Sequence, residues 1–262
     1  DLVRSRGLGD VYKRQDAEGI VCDIGGNSME LALVSKGAIG KRVSLPLGPF
    51  RLQQVEGDAA ALRKHIRRIL TEAKELIGAK HERIYLVGGS WRAIARLDME
   101  RKAYPLTVLH EYRMSRQSVL DTVGWIRRSD LNWLRLQTGV SSDRMALVPL
   151  AAEVLEQLVT IFRPREIDVS SYGIREGLLY EQMPEKLRRR DPLIEAARYT
   201  EASSARMPGF GKKLFDFLSP LYKNAPPERL RLIKAACLLH DTTWRAHPCL
   251  LYTSDAADEE AI

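Results

Sequence analysis

The sequence predicts an α/β fold that is followed by an all-helical segment. Three short strand-like runs precede the first helical pattern, which is typical of a sheet that begins with antiparallel strands. Strand-like and helical patterns then alternate, as they do in α/β domains. Beyond about residue 184 every remaining pattern has helical spacing. We therefore expect two domains, the first α/β and the second all-α.

The first two strands are predicted on either side of a glycine turn. Residues 19 to 24 (GIVCDI) form a short apolar run rich in β-branched side chains, and residues 28 to 35 (SMELALVS) alternate apolar with other residues. Gly25-Gly26-Asn27 between them has the composition of a hairpin turn. After a second turn at Lys36-Gly37, residues 40 to 47 (GKRVSLPL) can add a third strand.

An amphipathic helix is predicted next. Apolar residues recur at intervals of three and four from Leu62 to Ile77, with Asp58 as N-cap and Gly78 as C-cap. Residues 83 to 87 (RIYLV) then predict a buried strand, and Gly88-Gly89-Ser90 turns the chain into a second helix. The order in this region is therefore three strands, helix, strand, helix.

The remaining elements are mainly helices. An apolar stripe predicts a helix at 149 to 162 with Pro149 in its first turn, where the missing N–H costs nothing. A strand at 167 to 171 leads through Gly173 into a short helix, REGLLYEQ, and a domain boundary is expected near 184 to 192, around the basic run KLRRR. Further helices are predicted at 117 to 127, 131 to 137, 193 to 199, 212 to 221 and 228 to 240.

The two ends of the chain differ from the rest. Reverse translation of Ser5 to Gln15 and of Cys249 to Asp258 gives codons that match a transposon adaptor used in sequencing libraries. We therefore expect residues 1 to 15 and 249 to 262 to be adaptor-derived and non-native, and both natural termini to be missing. The native domains are then expected at 16 to 184 and 185 to 248.

The native part of the chain is basic. The whole sequence carries a formal charge of +7, and removing the two ends, whose charges are +2 and −4, leaves +9. Such a surplus is either ordinary solvated surface or a field that steers a polyanion such as nucleic acid, a nucleotide or inorganic polyphosphate. No uninterrupted apolar run is as long as a membrane span. Two distant native cysteines, Cys22 and Cys237, form neither a metal nor a disulfide pattern, which indicates a reducing cytoplasm.

The predicted hairpin carries two acids around its turn, in the stretch DIGGNSME from Asp23 to Glu30. A Gly-Gly turn can adopt positive φ and direct successive N–H groups at one point, which makes a nest for an anion. Ser28 adds a hydroxyl donor, Asp23 lies where a strand ends, and Glu30 returns on the partner strand. Two such carboxylates can hold Mg²⁺ or activate water. From these residues alone, a phosphate site and an ordinary structural turn remain equally open.

The order of elements matches the ribonuclease-H-like lobe of actin, sugar kinases and heat-shock ATPases, which is one candidate among α/β folds. A more specific resemblance is carried by six stretches in the same order, and they span nearly all native residues. Together these stretches resemble the exopolyphosphatase and guanosine pentaphosphate phosphohydrolase family. The stretches are DIGGNSME (23 to 30), SLPLGPFRL (44 to 52), VGGSWRAIARL (87 to 97), YPLTVLHEY (104 to 112), YGIREGLLYEQM (172 to 183) and ACLLHDTTWRAHP (236 to 248).

The resemblance assigns roles to residues of both glycine turns. It implies that Asp23 and Glu30 are the catalytic carboxylates and bind Mg²⁺, directly or through water. Asn27 stands where the family has a third glycine, so its side chain crowds the phosphate nest. The implied phosphate cradle is Gly25, Gly26, Asn27 and Ser28, and the implied cleft lining is Gly88, Gly89 and Ser90.

Other polar residues favour structural roles. Arg175 and Glu176 fit a helix N-terminus with an internal ion pair better than a substrate contact, and His110 is expected to be structural. His240-Asp241 has the composition of a metal pair in HD phosphohydrolases. That site also needs an upstream His and a downstream Asp, and the sequence offers neither at suitable positions.

The resemblance implies a cytoplasmic phosphohydrolase that acts in the stringent response. Water would attack the terminal phosphoanhydride of inorganic polyphosphate or guanosine pentaphosphate, with Mg²⁺ neutralising charge. The implied fold is the second actin-like lobe followed by the start of an HD-like helical domain. The first lobe, with its own phosphate loop and a further glutamate, is not in the sequence, so we expect this fragment to be inactive.

Two other functions stay open on the sequence alone. The lobe also occurs in sugar- and acetate-kinase-like phosphotransferases, and the charge alone would fit a non-catalytic polyanion-binding protein. We expect no membrane association and no specific binding of nucleic acid. A homodimer of the full-length parent is compatible with the resemblance.

Overall fold

The computed structural model describes residues 17 to 35, 38 to 78 and 82 to 244. The chain divides into two units between Pro184 and Glu185, at the start of the range in which the sequence predicts a boundary. The ends assigned to adaptor, residues 1 to 15 and 249 to 262, lie outside the described residues, and their assignment stays a prediction.

A mixed sheet lies at the centre of the first unit. In chain order its strands are Glu18–Ile24 (β1), Met29–Ser35 (β2), Ala38–Leu45 (β3), Arg83–Val87 (β4), Tyr112–Ser115 (β5) and Glu166–Ser170 (β6). Their spatial order is β3-β2-β1-β4-β6-β5. Strand β2 runs antiparallel to both of its neighbours, β1 and β3. Strands β1, β4 and β6 run parallel, so their carboxyl ends share one edge.

Helices connect and cover these strands. They are Pro49–Leu52 (α1), Ala59–Ile77 (α2), Gly89–Arg101 (α3), Arg116–Arg128 (α4), Leu131–Thr138 (α5), Ser142–Phe162 (α6) and Ile174–Gln182 (α7). Asp58 caps α2 as the sequence predicts, because its carboxylate accepts hydrogen bonds from the backbone N–H groups of Ala60 and Ala61 at 3.0 and 2.9 Å. The α/β class predicted for this part of the chain is confirmed.

The two faces of the sheet have different residues. Ile20, Cys22 and Leu31 point to the main core, where α6 packs against α2, α3 and α4. Because side chains alternate along a strand, Asp23 and Glu30 lie on the opposite face. The face that carries the two acids is therefore not the one that the main helices cover.

Helix α6 begins seven residues earlier than the sequence predicts. We expected it to start at Pro149, but it starts at Ser142 and Pro149 lies inside it. Proline lacks the N–H that would bond the carbonyl of Met145, a defect that the packed surroundings tolerate here. The charged residues of the first turn, Asp143 and Arg144, interrupt the apolar stripe and hid the true start.

The same helix has the length and composition of a membrane span. By length and composition α6 is apolar enough to cross a bilayer, with a mean hydropathy of 1.6, although the sequence showed no uninterrupted run of that length. In the structure α6 packs against other helices, chiefly α2, α3 and α4, and 56% of its apolar window is buried. Its apolar character is explained by its position in a protein core.

Two elements of the first unit were not predicted. Strand β5 is four residues long, too short to show a period, although Tyr112 and Met114 alternate inward as a strand requires. It pairs antiparallel with β6. Helix α1 forms a single turn after Gly48 and begins with Pro49. Both elements depend on tertiary contacts that a short sequence window does not contain.

The second unit is helical, as predicted. Its helices are Glu185–Arg188 (α8), Pro192–Ser204 (α9), Phe210–Leu218 (α10) and Pro227–Leu239 (α11), with a 3₁₀ turn at Ser219–Tyr222. Asp191 caps α9 by accepting from Leu193 N–H at 2.9 Å, and its carboxylate also pairs with Arg231 at 2.6 Å. A small core of Ile194, Ala197, Ala235 and Leu238 holds α9 against α11.

A buried carboxylate on α3 connects this helix with β5 and α4. Asp98 of α3 is fully buried and accepts hydrogen bonds from Tyr112 at 2.7 Å and from Ser118 at 2.6 Å, together with Thr122, Arg101 and Lys102. Burial alone would raise the pKa of Asp98, but these hydrogen bonds, led by that from Lys102, outweigh it and hold the pKa below its usual value. The ionised carboxylate therefore stabilises the fold.

We expect Asp98→Asn to lower the free energy of unfolding by about 3 kcal/mol at pH 7, because it removes the charge that satisfies a buried cluster. A depressed pKa contributes stability above the unfolded pKa of about 3.9, and that stability is lost as the pH falls through the folded value. The difference between wild type and variant should therefore shrink between pH 5 and about pH 3. Urea unfolding followed by circular dichroism measures it.

Asp121→Asn is the matched control, because Asp121 lies on the exposed side of α4 and bonds only to Gln117 among the residues described. It should change the free energy of unfolding by less than about 0.5 kcal/mol. A loss for Asp98→Asn that is equal at pH 7 and pH 3 would contradict the electrostatic explanation.

Candidate active site

The glycine turn between β1 and β2 is closed by a backbone hydrogen bond. The N–H of Gly25 donates to the carbonyl of Ser28 at 2.9 Å, and Asn27 is exposed at the tip. None of Gly25, Gly26 and Asn27 adopts positive φ, so the turn does not use the left-handed conformation that a Gly-Gly pair permits. The reason for the glycines lies in their packing.

That packing comes from α1 and the residues before it. A Cβ on Gly26 would lie 2.6 Å from the ring of Phe50, and the N–H of Phe50 donates to the carbonyl of Gly26 at 2.8 Å. A Cβ on Gly48 would lie 2.3 Å from the carbonyl carbon of Asn27 and 2.4 Å from the nitrogen of Ser28. The stretch SLPLGPFRL therefore clamps the turn from behind, a role that sequence analysis did not assign to it.

The two acids of the hairpin are direct neighbours. Asp23 and Glu30 are cross-strand partners in the register of β1 and β2, so they lie on the same face, with Cβ atoms about 5 Å apart. Asp23 is half-buried and Glu30 is 8% exposed. The pair is therefore placed where one phosphate or one water molecule can meet both side chains.

Two serines fix the carboxylate of Glu30. Its Oε1 accepts from the hydroxyl of Ser28 at 2.6 Å and from the hydroxyl of Ser44 at 3.4 Å. The Ser28 hydroxyl, which we expected to donate to phosphate, thus donates to Glu30 here. Among the described residues no donor reaches the buried Oε2 of Glu30. A buried carboxylate oxygen of this kind needs a partner, such as water or a cation.

The second glycine turn, which follows β4, lies next to Asp23. Strand β1 pairs with β4 so that Asp23 is opposite Val87, and the chain then turns at Gly88 with φ +118°. A Cβ on Gly88 would lie 2.8 Å from the carbonyl of Ile24 and 3.2 Å from Oδ1 of Asp23. The sheet thus brings the predicted cleft residues Gly88, Gly89 and Ser90 next to Asp23, at the carboxyl ends of parallel strands.

Three arginines that sequence analysis missed line a pocket beside these turns. The pocket has a volume of about 410 Å³ and is lined by Arg92, Arg96 and Arg144. A Cβ on Gly89 would lie 3.0 Å from Nε of Arg144, so the glycine lets this guanidinium lie against the turn. The other lining residues are Ala93, Leu109, Gly139, Val140, Ser141 and Ser171.

The arginines act on one another and on the acids. Burial lowers the pKa of Arg92, the charges of Arg144 and Arg96 lower it further, and the charges of Asp23 and Glu176 oppose the decrease. Arg92 also donates to the carbonyl of Ser170 at 3.4 Å. Like charges held together in a pocket favour an anionic ligand. The site therefore combines an anion pocket with the nearby carboxylate of Asp23, whose cross-strand partner is Glu30.

Only part of this pocket had a signal in the sequence. Arg92 and Arg96 are four residues apart on α3, directly after the glycine turn, so they share one helix face. Arg144 lies in the first turn of α6, far along the chain, and only the fold brings it to the pocket. The helix-face spacing could have indicated two of the three arginines.

The remaining polar candidates have structural roles in the described residues. Glu176 accepts from the N–H of Gly173 at 2.7 Å, which caps α7 and, by that hydrogen bond, lowers the pKa of Glu176. Asp241 accepts from Nε and the backbone N–H of Arg206 at 2.7 and 2.9 Å. His240 bonds through Nδ1 to the carbonyl of Cys237 at 2.8 Å.

Both side chains of the His240-Asp241 pair already have hydrogen-bond partners. The carboxylate of Asp241 is bonded to Arg206, and no cluster of three His, Cys, Asp or Glu residues that could hold a metal ion occurs in the described part of the chain. Both side chains therefore take part in hydrogen bonds within the second unit.

Comparison with known proteins identifies the family. The model of the Ppx/GppA phosphatase family matches residues 5 to 186. The chain belongs to this family. The match includes residues 5 to 15, which sequence analysis assigns to adaptor, so the start of the native segment stays a prediction. Retrograde regulation protein 2 of Saccharomyces cerevisiae is 28% identical over 221 residues, which cover 72% of this chain and 37% of the yeast protein.

Solved structures of Ppx/GppA relatives have the same fold. A Ppx/GppA phosphatase of Aquifex aeolicus, crystallised as a type II variant, is 20% identical, with a TM-score of 0.58 over 69% of this chain and 62% of that chain. An exopolyphosphatase of Cytophaga hutchinsonii is also 20% identical, with a TM-score of 0.58 over 69% of this chain and 63% of its own. This Ppx/GppA chain therefore spans less than two thirds of each of these relatives.

Proposed function

We propose that the protein releases the terminal phosphate from a phosphoanhydride chain, in inorganic polyphosphate or guanosine pentaphosphate. The observation that carries this proposal is the proximity of two parts of the site: Asp23, the cross-strand partner of Glu30, lies close enough for its charge to act on Arg92 of the three-arginine pocket. An anion pocket alone fits a binding protein, and two acids alone fit a structural hairpin. Their combination supports hydrolysis of a polyanion.

Each part of the site has a chemical role in this proposal. The guanidinium groups of Arg92, Arg96 and Arg144 bind the non-bridging oxygens of the chain by charge-assisted hydrogen bonds. Asp23 lies at the end of its strand and orients the attacking water. Glu30, held at Oε1 by Ser28 and Ser44, presents its second oxygen to the same space. The arginines thus bind the substrate, and the carboxylates hold the proton that the water loses.

The acids also fit Mg²⁺, which we propose as the cofactor. Asp23 and Glu30 supply carboxylate oxygens, and the buried Oε2 of Glu30 accepts no hydrogen bond from a described residue. Mg²⁺ is commonly bound by one or two carboxylates together with phosphate oxygens and water. Once bound, Mg²⁺ would neutralise charge on the leaving oxygens.

Turnover is proposed for a longer protein that joins this chain to a first actin-like lobe. The chain alone forms one wall of the cleft in this proposal, so we expect it to bind the substrate but to hydrolyse it poorly. Binding can therefore be tested on the chain itself. Phosphate release from long-chain polyphosphate with Mg²⁺ is tested on the longer protein.

We expect Arg144→Ala to weaken binding of inorganic tripolyphosphate by about tenfold to a hundredfold, because it removes charged hydrogen bonds of about 1.5 to 3 kcal/mol. Isothermal titration calorimetry of this chain measures the change. Arg128→Ala is the control, because Arg128 is an exposed arginine that does not line the pocket. Equal affinity for wild type and Arg144→Ala would count against the pocket as the polyphosphate site.

A further inference from the structure

Two aromatic side chains stack beside the arginine pocket. The rings of His110 and Tyr172 have centroids 4.4 Å apart and planes inclined by 35°. Nδ1 of His110 accepts from the N–H of Ser171 at 3.4 Å, so the imidazole is held against the chain that carries the tyrosine. The two rings come from segments 62 residues apart in the sequence, and the fold alone pairs them.

The backbone supports this position. Glu111, the residue after His110, has φ +60°, a conformation that is unfavourable for a residue with a side chain. Its N–H donates to the carbonyl of Val169 at 2.9 Å, which fastens the loop to the end of β6. Strained backbone that surrounding contacts enforce is common at ligand sites, and this loop has that property.

The stacked pair adjoins the pocket through its chain neighbours. Leu109 precedes His110 and Ser171 precedes Tyr172, and both of these neighbours line the pocket together with the arginines. Consecutive Cα atoms are about 3.8 Å apart, so the backbone of both aromatic residues lies next to the pocket wall. His110 and Tyr172 are both half-buried, so part of each residue is open to solvent.

We propose that His110 and Tyr172 form a stacking platform for the base of a nucleoside polyphosphate, whose phosphates enter the arginine pocket. The proposal rests on the proposed function and selects one substrate class within it. A purine ring presents a flat π-face that can extend an aromatic stack, and its phosphates carry the charge that Arg92, Arg96 and Arg144 complement. Inorganic polyphosphate has the charge without the ring and gains nothing from the platform.

A purely structural pair would behave differently. If the rings only fasten the loop to β6, their removal should lower thermal stability and disturb the pocket for every anion alike. If they stack on a base, their removal should weaken nucleotide binding and leave inorganic chains unaffected. The ratio of the two affinities therefore distinguishes the explanations, even where a variant is less stable.

The test uses calorimetric titration of this chain with guanosine triphosphate and with inorganic tripolyphosphate, both with Mg²⁺. The wild type should bind the nucleotide about tenfold more tightly than tripolyphosphate, because stacking on one aromatic side chain contributes on that order. Tyr172→Ala and His110→Ala should each remove most of that difference and change tripolyphosphate affinity less than twofold. Tyr172→Phe keeps a ring and should retain the difference.

Phe217→Ala is the control, since it removes an exposed aromatic ring of the second unit and should change neither affinity. Equal binding of the two ligands by the wild type would overturn the proposal without any variant. Parallel losses for both ligands in Tyr172→Ala would also overturn it. Loss of the nucleotide preference with intact tripolyphosphate binding supports it. Failure of both ligands to bind the wild type would instead refute the proposed function.

Discussion

Replacing Asp23 by Asn or Glu30 by Gln is expected to lower phosphate release by about 10²- to 10⁴-fold, the range that a positioned acid or base contributes. Both substitutions keep the shape of the side chain and remove its charge. Asp23 and Glu30 face each other across β1 and β2, so either change also removes half of the charge that can hold a cation there. Turnover of polyphosphate by the longer protein measures the effect.

The same variants should leave the fold intact. Glu30 accepts from Ser28 and Ser44 through Oε1, and Gln retains an acceptor oxygen at that position. We expect the melting temperature of this chain to change by only a few degrees, which corresponds to about 1 kcal/mol for a unit of this size. The variants should therefore lose activity while their stability stays close to that of the wild type.

Glu18→Gln is the matched control for both variants. Glu18 begins the same strand, β1, and is exposed. It should neither slow turnover nor change stability, because surface substitutions usually stay within about 0.5 kcal/mol. Normal turnover in both Asp23→Asn and Glu30→Gln would show that the hairpin is an ordinary structural turn.

The placement of the acids could be predicted from sequence because it depends on local rules. A hairpin with a short turn fixes the register, and alternation then places Asp23 and Glu30 on one face. The glycines of the second turn also follow locally, since Gly88 must adopt positive φ between β4 and α3. These features need no information from distant parts of the chain.

Other features of the site depend on long-range contacts and were missed for that reason. Arg144 reaches the pocket because α6 packs against α3, and Arg144 lies more than 100 residues after Asp23. Gly25 and Gly26 do not use the positive φ that a Gly-Gly turn permits, and the close approach of Phe50 is what excludes a side chain at Gly26. A sequence window around the turn does not contain Phe50.

Gly48→Ala should have the second large effect on activity. The added Cβ would lie 2.3 Å from the carbonyl carbon of Asn27 and 2.4 Å from the nitrogen of Ser28, and both atoms belong to the backbone and cannot rotate away. Restoring a contact of about 3.4 Å requires the turn to move by about 1 Å, and a displacement of that size can cost about a hundredfold in rate. We expect a comparable loss of polyphosphate turnover in the longer protein.

The displacement should also be visible in the chain itself. Overpacking of this kind typically costs about 1 to 3 kcal/mol in the free energy of unfolding. Because the turn carries Ser28, its movement should also loosen the hydrogen bond of 2.6 Å to Glu30. Urea unfolding of this chain measures the first effect, and turnover of the longer protein measures the second.

Gly40→Ala separates a steric cause from a general effect of losing glycine. A Cβ on Gly40 of β3 would meet only the side chain of Leu33, at 3.3 Å, and a leucine side chain can yield by a few tenths of an ångström. Gly40→Ala should therefore be neutral or slightly stabilising, because alanine lowers the entropy of the unfolded chain. Equal activity and stability of Gly48→Ala and Gly40→Ala would contradict this explanation. It would mean that the stretch from Gly48 to Phe50 does not hold the turn in position beside Asp23.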